Sequence, residues 1–200
     1  MMLPTHAVVG LAVATPLLGV APEFAPAALL GGLLGGIFPD LDLYSGHRKT
    51  LHYPTGYAVA ALPAVGAAAL FPVAATVGLA WFFVGAVAHC RMDRYGGGLE
   101  LEPWEETSER AVYDHARGEW REPKRWIPYD GSPLDLLLLL TLAVPLLFVL
   151  ADPFRSIAAG ALLVGGSYVG LRRRLADLAP VVFGYVPDAY AGHVPDRYRR

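Results

Sequence analysis

Long apolar runs alternate with short polar interruptions along this chain, and six runs stand out, at residues 5–20, 24–38, 53–70, 73–92, 134–151 and 154–171. Pro22, Pro39 and Pro72 follow the first three, where a residue without a backbone N–H ends a helix. A helix needs about 20 apolar residues to cross a bilayer. The pattern therefore predicts an all-α integral membrane bundle of about six apolar helices. The first two runs are short for a crossing and rich in Gly and Ala, so they are expected to cross a thin region or to form a re-entrant hairpin. Gly31-Gly32 and Gly35-Gly36 recur at a four-residue spacing, which predicts a close helix–helix contact.

Composition agrees with a membrane protein. Of 200 residues, 54% are apolar and 17% charged, against about a quarter charged in ordinary soluble domains. The length suits one domain, expected over residues 1–175 with a polar cytoplasmic loop at 96–132. Residues 176–200 form a C-terminal tail, expected to be surface or disordered. A formal net charge of −2 argues against charge-driven nucleic-acid binding, so no nucleic-acid partner is expected. Cys90 is the single cysteine, which excludes an intrachain disulfide. No basic side chain precedes the first apolar run, so that run is read as a retained membrane helix rather than a cleaved signal.

Basic residues set the expected orientation. Arg172-Arg173-Arg174 follow the last run and place the C-terminus in the cytoplasm. Six crossings then put the N-terminus there too, with the loops at 39–52 and 93–133. Arg155 alone is left outside. The chain reads as a multi-pass inner-membrane protein.

Candidate chemistry collects on that same side. His89 and Asp93 lie four residues apart at the end of the fourth run, one turn apart on one helix face. His6 opens the first run, and Asp40, Asp42, His47 and His52 fall in the loop after the second. Imidazole and carboxylate are common metal ligands, and zinc accepts both. His6, Asp40, Asp42, His52, His89 and Asp93 are the candidate ligands, for one or two divalent ions. Zinc suits the set best, with manganese or iron as alternatives. Each residue alone has a plainer reading: Asp40 and Asp42 as turn formers, His52 as a helix cap, His89 and Asp93 as a mutual pair. Taken together they favour a metal site, because ionisable groups beside membrane helices are costly. Arg48 is a candidate for holding a substrate phosphate, or with Lys49 a topology determinant. His115 and His193 read as surface residues, Glu100 and Glu102 as lesser ligand candidates, and Cys90 as packing. No further cofactor is implied.

At these residues the chain resembles the LexA-binding, inner-membrane-associated hydrolase family of small metal-dependent membrane enzymes. The resemblance is carried by Thr5-His6, Phe38-Pro39-Asp40-Leu41-Asp42, His47-Arg48-Lys49-Thr50-Leu51-His52, His89-Cys90-Arg91-Met92-Asp93 and Tyr95-Gly96-Gly97, about the first half of the chain. That family in turn is similar to the zinc-dependent phospholipase C and P1 nuclease group, which implies a helical core of that type. It also implies ligand roles for His6, His52, His89 and Asp93, with Asp40 as ligand or base. The further His-x-x-x-Glu pair of that group has no clear counterpart beyond His115 and Glu119, in the polar loop.

The expected function is a membrane-bound metal-dependent hydrolase acting on a lipid or small-molecule phosphoester through activated water, with Asp40 and Arg48 as catalytic residues. Its partners would be membrane lipid and substrate; no protein partner is identified by the sequence. The alternatives are a membrane metal transporter, whose sites lie nearer the bilayer midplane, and a non-catalytic scaffold with a structural metal.

Overall fold

In the computed structural model, which describes residues 1–198, seven helices account for the apolar runs. They are α1 (Leu3–Ala14), α2 (Leu17–Val20), α3 (Ala25–Ile37), α4 (Pro54–Leu70), α5 (Ala74–Tyr95), α6 (Pro133–Val149) and α7 (Phe154–Phe183). A one-turn helix, Asp188–Ala191, follows. Three stretches are long and apolar enough to span a membrane: Leu3–Val20, which joins α1 and α2, then α5, then α7. The helices α4 and α6 are apolar but shorter, at 17 residues each. The 13 residues of α3 extend about 20 Å, short of a hydrocarbon core of about 30 Å. By length, the six expected crossings become three long spans, two shorter apolar helices and one short internal helix.

The α3 helix sits between α1 and α5, and glycine is what lets it fit. A Cβ on Gly31 would run into the Gly78 carbonyl, and one on Gly35 into the Phe82 carbonyl and the Ala86 amide. Gly32 meets Gly10 of α1 in the same way. The paired glycines thus form the predicted contact, with backbone against backbone. Gly35→Ala is expected to destabilise the fold by about 3 kcal/mol or more, while Gly66→Ala, whose Cβ would meet nothing nearby, should be neutral. Thermal unfolding of both variants in detergent checks this; equal midpoints would contradict the packing.

Leu11 and Val8 of α1, Leu139 of α6 and Leu150 are fully buried and centre the apolar core. Leu62, Phe148 and Leu163 project outward, as lipid-facing side chains do.

The α7 helix does not stop at the arginines. Residues 171–179 are mostly Leu, Arg and Ala, all strong helix formers, and the helix continues to Phe183. Arg172 is buried against Asp130, with Nε 3.1 Å from Oδ2, and donates to the Leu101 carbonyl. Arg173 lies over the Trp104 ring at 4.8 Å. Beyond Gly184 the chain turns back, and Tyr198 stacks on Phe183. The described part of the tail is therefore folded against the bundle.

The polar excursion after α5 contains a small antiparallel hairpin, β1 (Val112–Asp114) and β2 (Glu119–Arg121), which pairs Tyr113 with Trp120. Gly118, at φ +68°, supplies the left-handed turn residue. The fold is mostly helical rather than all-α. The hairpin is tied to the loop before α4: Tyr113 N–H donates to the Arg48 carbonyl at 2.9 Å, and His115 Nε2 lies 2.7 Å from the Lys49 carbonyl.

Candidate metal centre

Five elements converge at one end of the bundle. The first turn of α1 carries His6, a 3₁₀ turn over Phe38–Asp42 carries Asp40 and Asp42, the loop before α4 carries Arg48 and His52, and the last turns of α5 carry His89 and Asp93. The start of α6 fixes α1: Thr5 Oγ1 donates to Asp135 at 2.7 Å and the Met2 amide donates at 2.8 Å. Ser132 caps α6 by accepting the Asp135 N–H. Thr5 and Asp135 are both buried, and they hold His6 in register with α5.

Asp40, His52, His89 and Asp93 each offer one ligand-type atom, and these atoms lie within 4.8 Å of one another. His52 Nε2 is 3.2 Å from His89 Nε2 and 3.1 Å from Asp93 Oδ2. His89 Nε2 is 3.2 Å from Asp93 Oδ2 and 3.4 Å from Asp40 Oδ1. The histidines and Asp93 are fully buried; the Asp40 side chain is 17% exposed and forms the open edge.

The far ring nitrogens decide what the near ones can do. His89 Nδ1 lies 2.7 Å from the Gly36 carbonyl, which can only accept, so Nδ1 carries the proton. His52 Nδ1 lies 3.0 Å from Asp42 Oδ2, and it likewise donates. Both Nε2 atoms are thereby left to face each other and two carboxylates. Four electron-rich atoms crowded in this way require a cation between them, either bound metal or added protons. Nδ1–H held by carbonyl or carboxylate, with Nε2 turned inward, is the usual arrangement around a bound metal. The donor set could hold a divalent metal ion.

Asp42 stands behind the cluster. Its carboxylate accepts from His47 Nδ1 (3.1 Å), the Arg48 amide (3.3 Å), the Leu51 amide (3.0 Å) and His52 Nδ1. With its acceptor positions taken, it orients His52 and closes the loop in which Arg48 adopts φ +60°. Sequence spacing placed Asp42 among the candidate ligands; the structure separates it from the four converging atoms. Burial on its own would raise the Asp42 carboxyl, but the donors from His47, His52 and Leu51 outweigh it and hold the group below the usual carboxylate range. Asp40 is also held low, burial being overcome by hydrogen bonding to, and the charge of, His89.

His6 faces the other oxygen of Asp93. Its Nε2 is 3.1 Å from Oδ1, its ring stacks on His89 at 3.8 Å, and its buried Nδ1 meets no hydrogen-bonding partner among the described residues. Arg48 is buried as well. Its Nη1 donates to the Gly97 and Ala111 carbonyls at 2.8 and 3.3 Å, and Nη2 lies 3.5 Å from Asp93 Oδ1. His47 is at the rim, bound to Asp42, and burial lowers its affinity for a proton below the ordinary value despite that partner. Cys90 packs with Tyr57 and Ala86, off the cluster. His115 and Glu119 belong to the exposed hairpin region.

The deciding comparison is with known families: residues 1–176 match the YdjM inner membrane protein family. The chain belongs to that family. It is the inner-membrane family of the resemblance described above, and the match runs well past the motifs that carried it, to the arginines of α7. An inner-membrane location follows from YdjM membership together with the three candidate spans. No curated protein and no solved structure matches the chain.

Spacing in the sequence does not single out Asp135 of this YdjM-family chain. The available signal was a lone acid in the first turn of a leucine-rich helix, a costly placement unless it is partnered.

Protonation and a bound metal would compete for His52 in a predictable direction. Burial lowers its affinity for a proton, but hydrogen bonds to Asp42 and Asp93 outweigh burial and raise it above the ordinary histidine value. In the metal-free protein the folded state therefore holds this proton more tightly than the unfolded chain. The stabilisation is full below the ordinary histidine range and is lost as pH rises through the raised value. Metal entry needs the bare nitrogen and runs the other way. Zinc titrations are expected to show affinity rising steadily from about pH 6 to about pH 8; affinity independent of pH would contradict this.

Proposed function

We propose that this YdjM-family protein is a metal-dependent phosphoester hydrolase whose centre lies at the cytoplasmic edge of the inner membrane. The observation that supports this most is the pair of inward-facing Nε2 atoms, set against Asp40 and Asp93 with both Nδ1 protons committed elsewhere. His52, His89, Asp93 and Asp40 would hold a divalent ion, zinc in this reading. His6, on Asp93 Oδ1, is placed to help hold a second. Bound metal supplies Lewis acidity and a water of lowered pKa.

The protein's own groups account for the rest. Asp40, on the open edge and kept ionised, orients the attacking water by accepting a hydrogen bond from it. The Arg48 Nη2 is directed toward the cluster at Asp93, where it can pair with the phosphoryl oxygens as negative charge builds on them. Buried His6 and His89 wall the site from bulk water. The basic residues of the polar end, Arg48, Lys49 and Arg172 to Arg174, support a cytoplasmic orientation. The resemblance to the phospholipase C and P1 nuclease group enters as the type of chemistry.

Hydrolysis of a phosphomonoester and phosphodiester panel by purified protein tests the reading. Activity is expected to be lost on chelation and restored by zinc or manganese. Full metal occupancy with no turnover of any phosphoester would favour a structural metal instead.

A further inference from the structure

Beside the metal cluster are two cavities that share one wall. The first, about 300 Å³, is polar and takes in Arg48, Glu100, Asp130, Arg172 and Arg197. The second, about 590 Å³, is a mainly apolar groove that runs along the seam of α1 and α7, with Asp40 at its edge. His47, Asp130, Tyr168, Arg197 and Tyr198 line both, so the two form one amphipathic channel.

Its dimensions and surroundings suit one kind of occupant. The apolar part extends along α7 from Tyr168 back to Ile157, eleven residues or about 16 Å, roughly one leaflet of a 30 Å hydrocarbon core. Its walls belong to α7 and to the Leu3–Val20 stretch that α1 opens, both long and apolar enough to span the bilayer, and Leu3 and Val164 on its rim are exposed, at 45% and 59%. The groove thus opens sideways, toward lipid. At the polar end, Arg172 is engaged by Asp130, but the Nε atoms of Arg48 and Arg197 are buried without a partner among the described residues, and Arg48 is only 5% exposed. The other guanidinium nitrogens are engaged, those of Arg48 by Gly97, Ala111 and Asp93 and those of Arg197 by Leu99 and Tyr198, so each arginine has one buried N–H left in the chamber, and two such donors call for an acceptor of the kind a phosphate oxygen supplies. The Glu100 carboxylate oxygens, also buried and unpartnered, lie in the same chamber and leave room for a cationic substituent on that anion.

We infer that the α1–α7 groove is a lateral entry site for a membrane phospholipid, with one acyl chain lying between the helices and the phosphate beside Arg48, Arg197 and the Asp40 edge. For the fate of the lipid the inference rests on the hydrolytic reading, so binding is measured apart from turnover and each can fail alone.

The protein is reconstituted in nanodiscs containing a phospholipid whose acyl chain carries a diazirine, and cross-linked peptides are mapped. Labelling is expected to concentrate on the groove faces of α1 and α7, around Pro4, Ala7, Ile157 and Gly160. Gly160→Trp should cut that labelling several-fold while leaving metal content unchanged, since a side chain added there meets no protein atom. A diazirine diacylglycerol, which lacks the phosphate, should label the groove several-fold less than the phospholipid. Labelling spread evenly over outward residues such as Leu62 and Phe148, or cross-links to a second copy through this seam, would overturn the inference. So would indifference to Gly160→Trp, or equal labelling by the two probes. Loss of hydrolysis in a metal-loaded protein whose groove still labels would count against the hydrolytic reading only.

Discussion

Asp93→Asn is expected to abolish metal retention and hydrolysis together. The substitution keeps the shape of a fully buried side chain, so any effect arises from charge and proton placement. In the native chain one oxygen of Asp93 faces His52 and His89 and the other faces His6 and Arg48. An amide supplies one neutral oxygen and a pair of N–H donors, and one of these oxygen positions becomes a donor facing the histidines. Loss of an outer partner alone weakens a metal site by about 10- to 100-fold; loss of the central carboxylate should exceed that. The metal-free protein should also lose about 3 kcal/mol, because buried Arg48 is left without its counter-charge. Metal content after dialysis and the unfolding midpoint are the readouts. An asparagine variant that keeps stoichiometric metal would remove Asp93 from the centre.

Asp42→Ala should produce the second-largest effect, although Asp42 contributes none of the four converging atoms. Four donors lose their acceptor at once, two of them backbone amides in the loop that carries His52. Each buried donor left unpaired costs about 1–3 kcal/mol, although relaxation and water entry keep the sum from being additive. A net loss of about 3 kcal/mol is expected, with metal affinity down about 10- to 100-fold as His52 loses its fixed orientation. Asp42→Asn preserves half of the acceptors and should fall between. Unchanged zinc affinity in both variants would show that the loop holds His52 without help.

Asp40 and Asp42 mark the limit of what the sequence reveals. Spacing alone suffices to bring His6, Asp40, His52, His89 and Asp93 to one end of the bundle, because helix periodicity and proline breaks place them at helix starts and ends on one side. Spacing does not tell Asp40 from Asp42, two residues apart. That choice depends on the 3₁₀ turn over Phe38–Asp42 and on Arg48 at φ +60°, which turn one carboxylate inward and bury the other among amides. The paired glycines of α3 were legible, since a four-residue spacing of small residues has few other uses in an apolar helix. The length of α7 was not, because arginines end an apolar run without ending a helix. The hairpin at 112–121 was hidden by its brevity. Asp135 was visible only as an isolated acid whose partners, Thr5 and the Met2 amide, lie about 130 positions away in the chain.

In the proposed centre two histidines and two aspartates share a cation. The most direct test is the metal content of the purified full-length protein after exhaustive dialysis, by mass spectrometry, beside His89→Ala. At least one tightly held divalent ion per chain is predicted for the native protein, and loss of metal from the His89→Ala protein. A native protein that neither retains nor takes up zinc, manganese or iron, or a His89→Ala protein with undiminished metal, would contradict it.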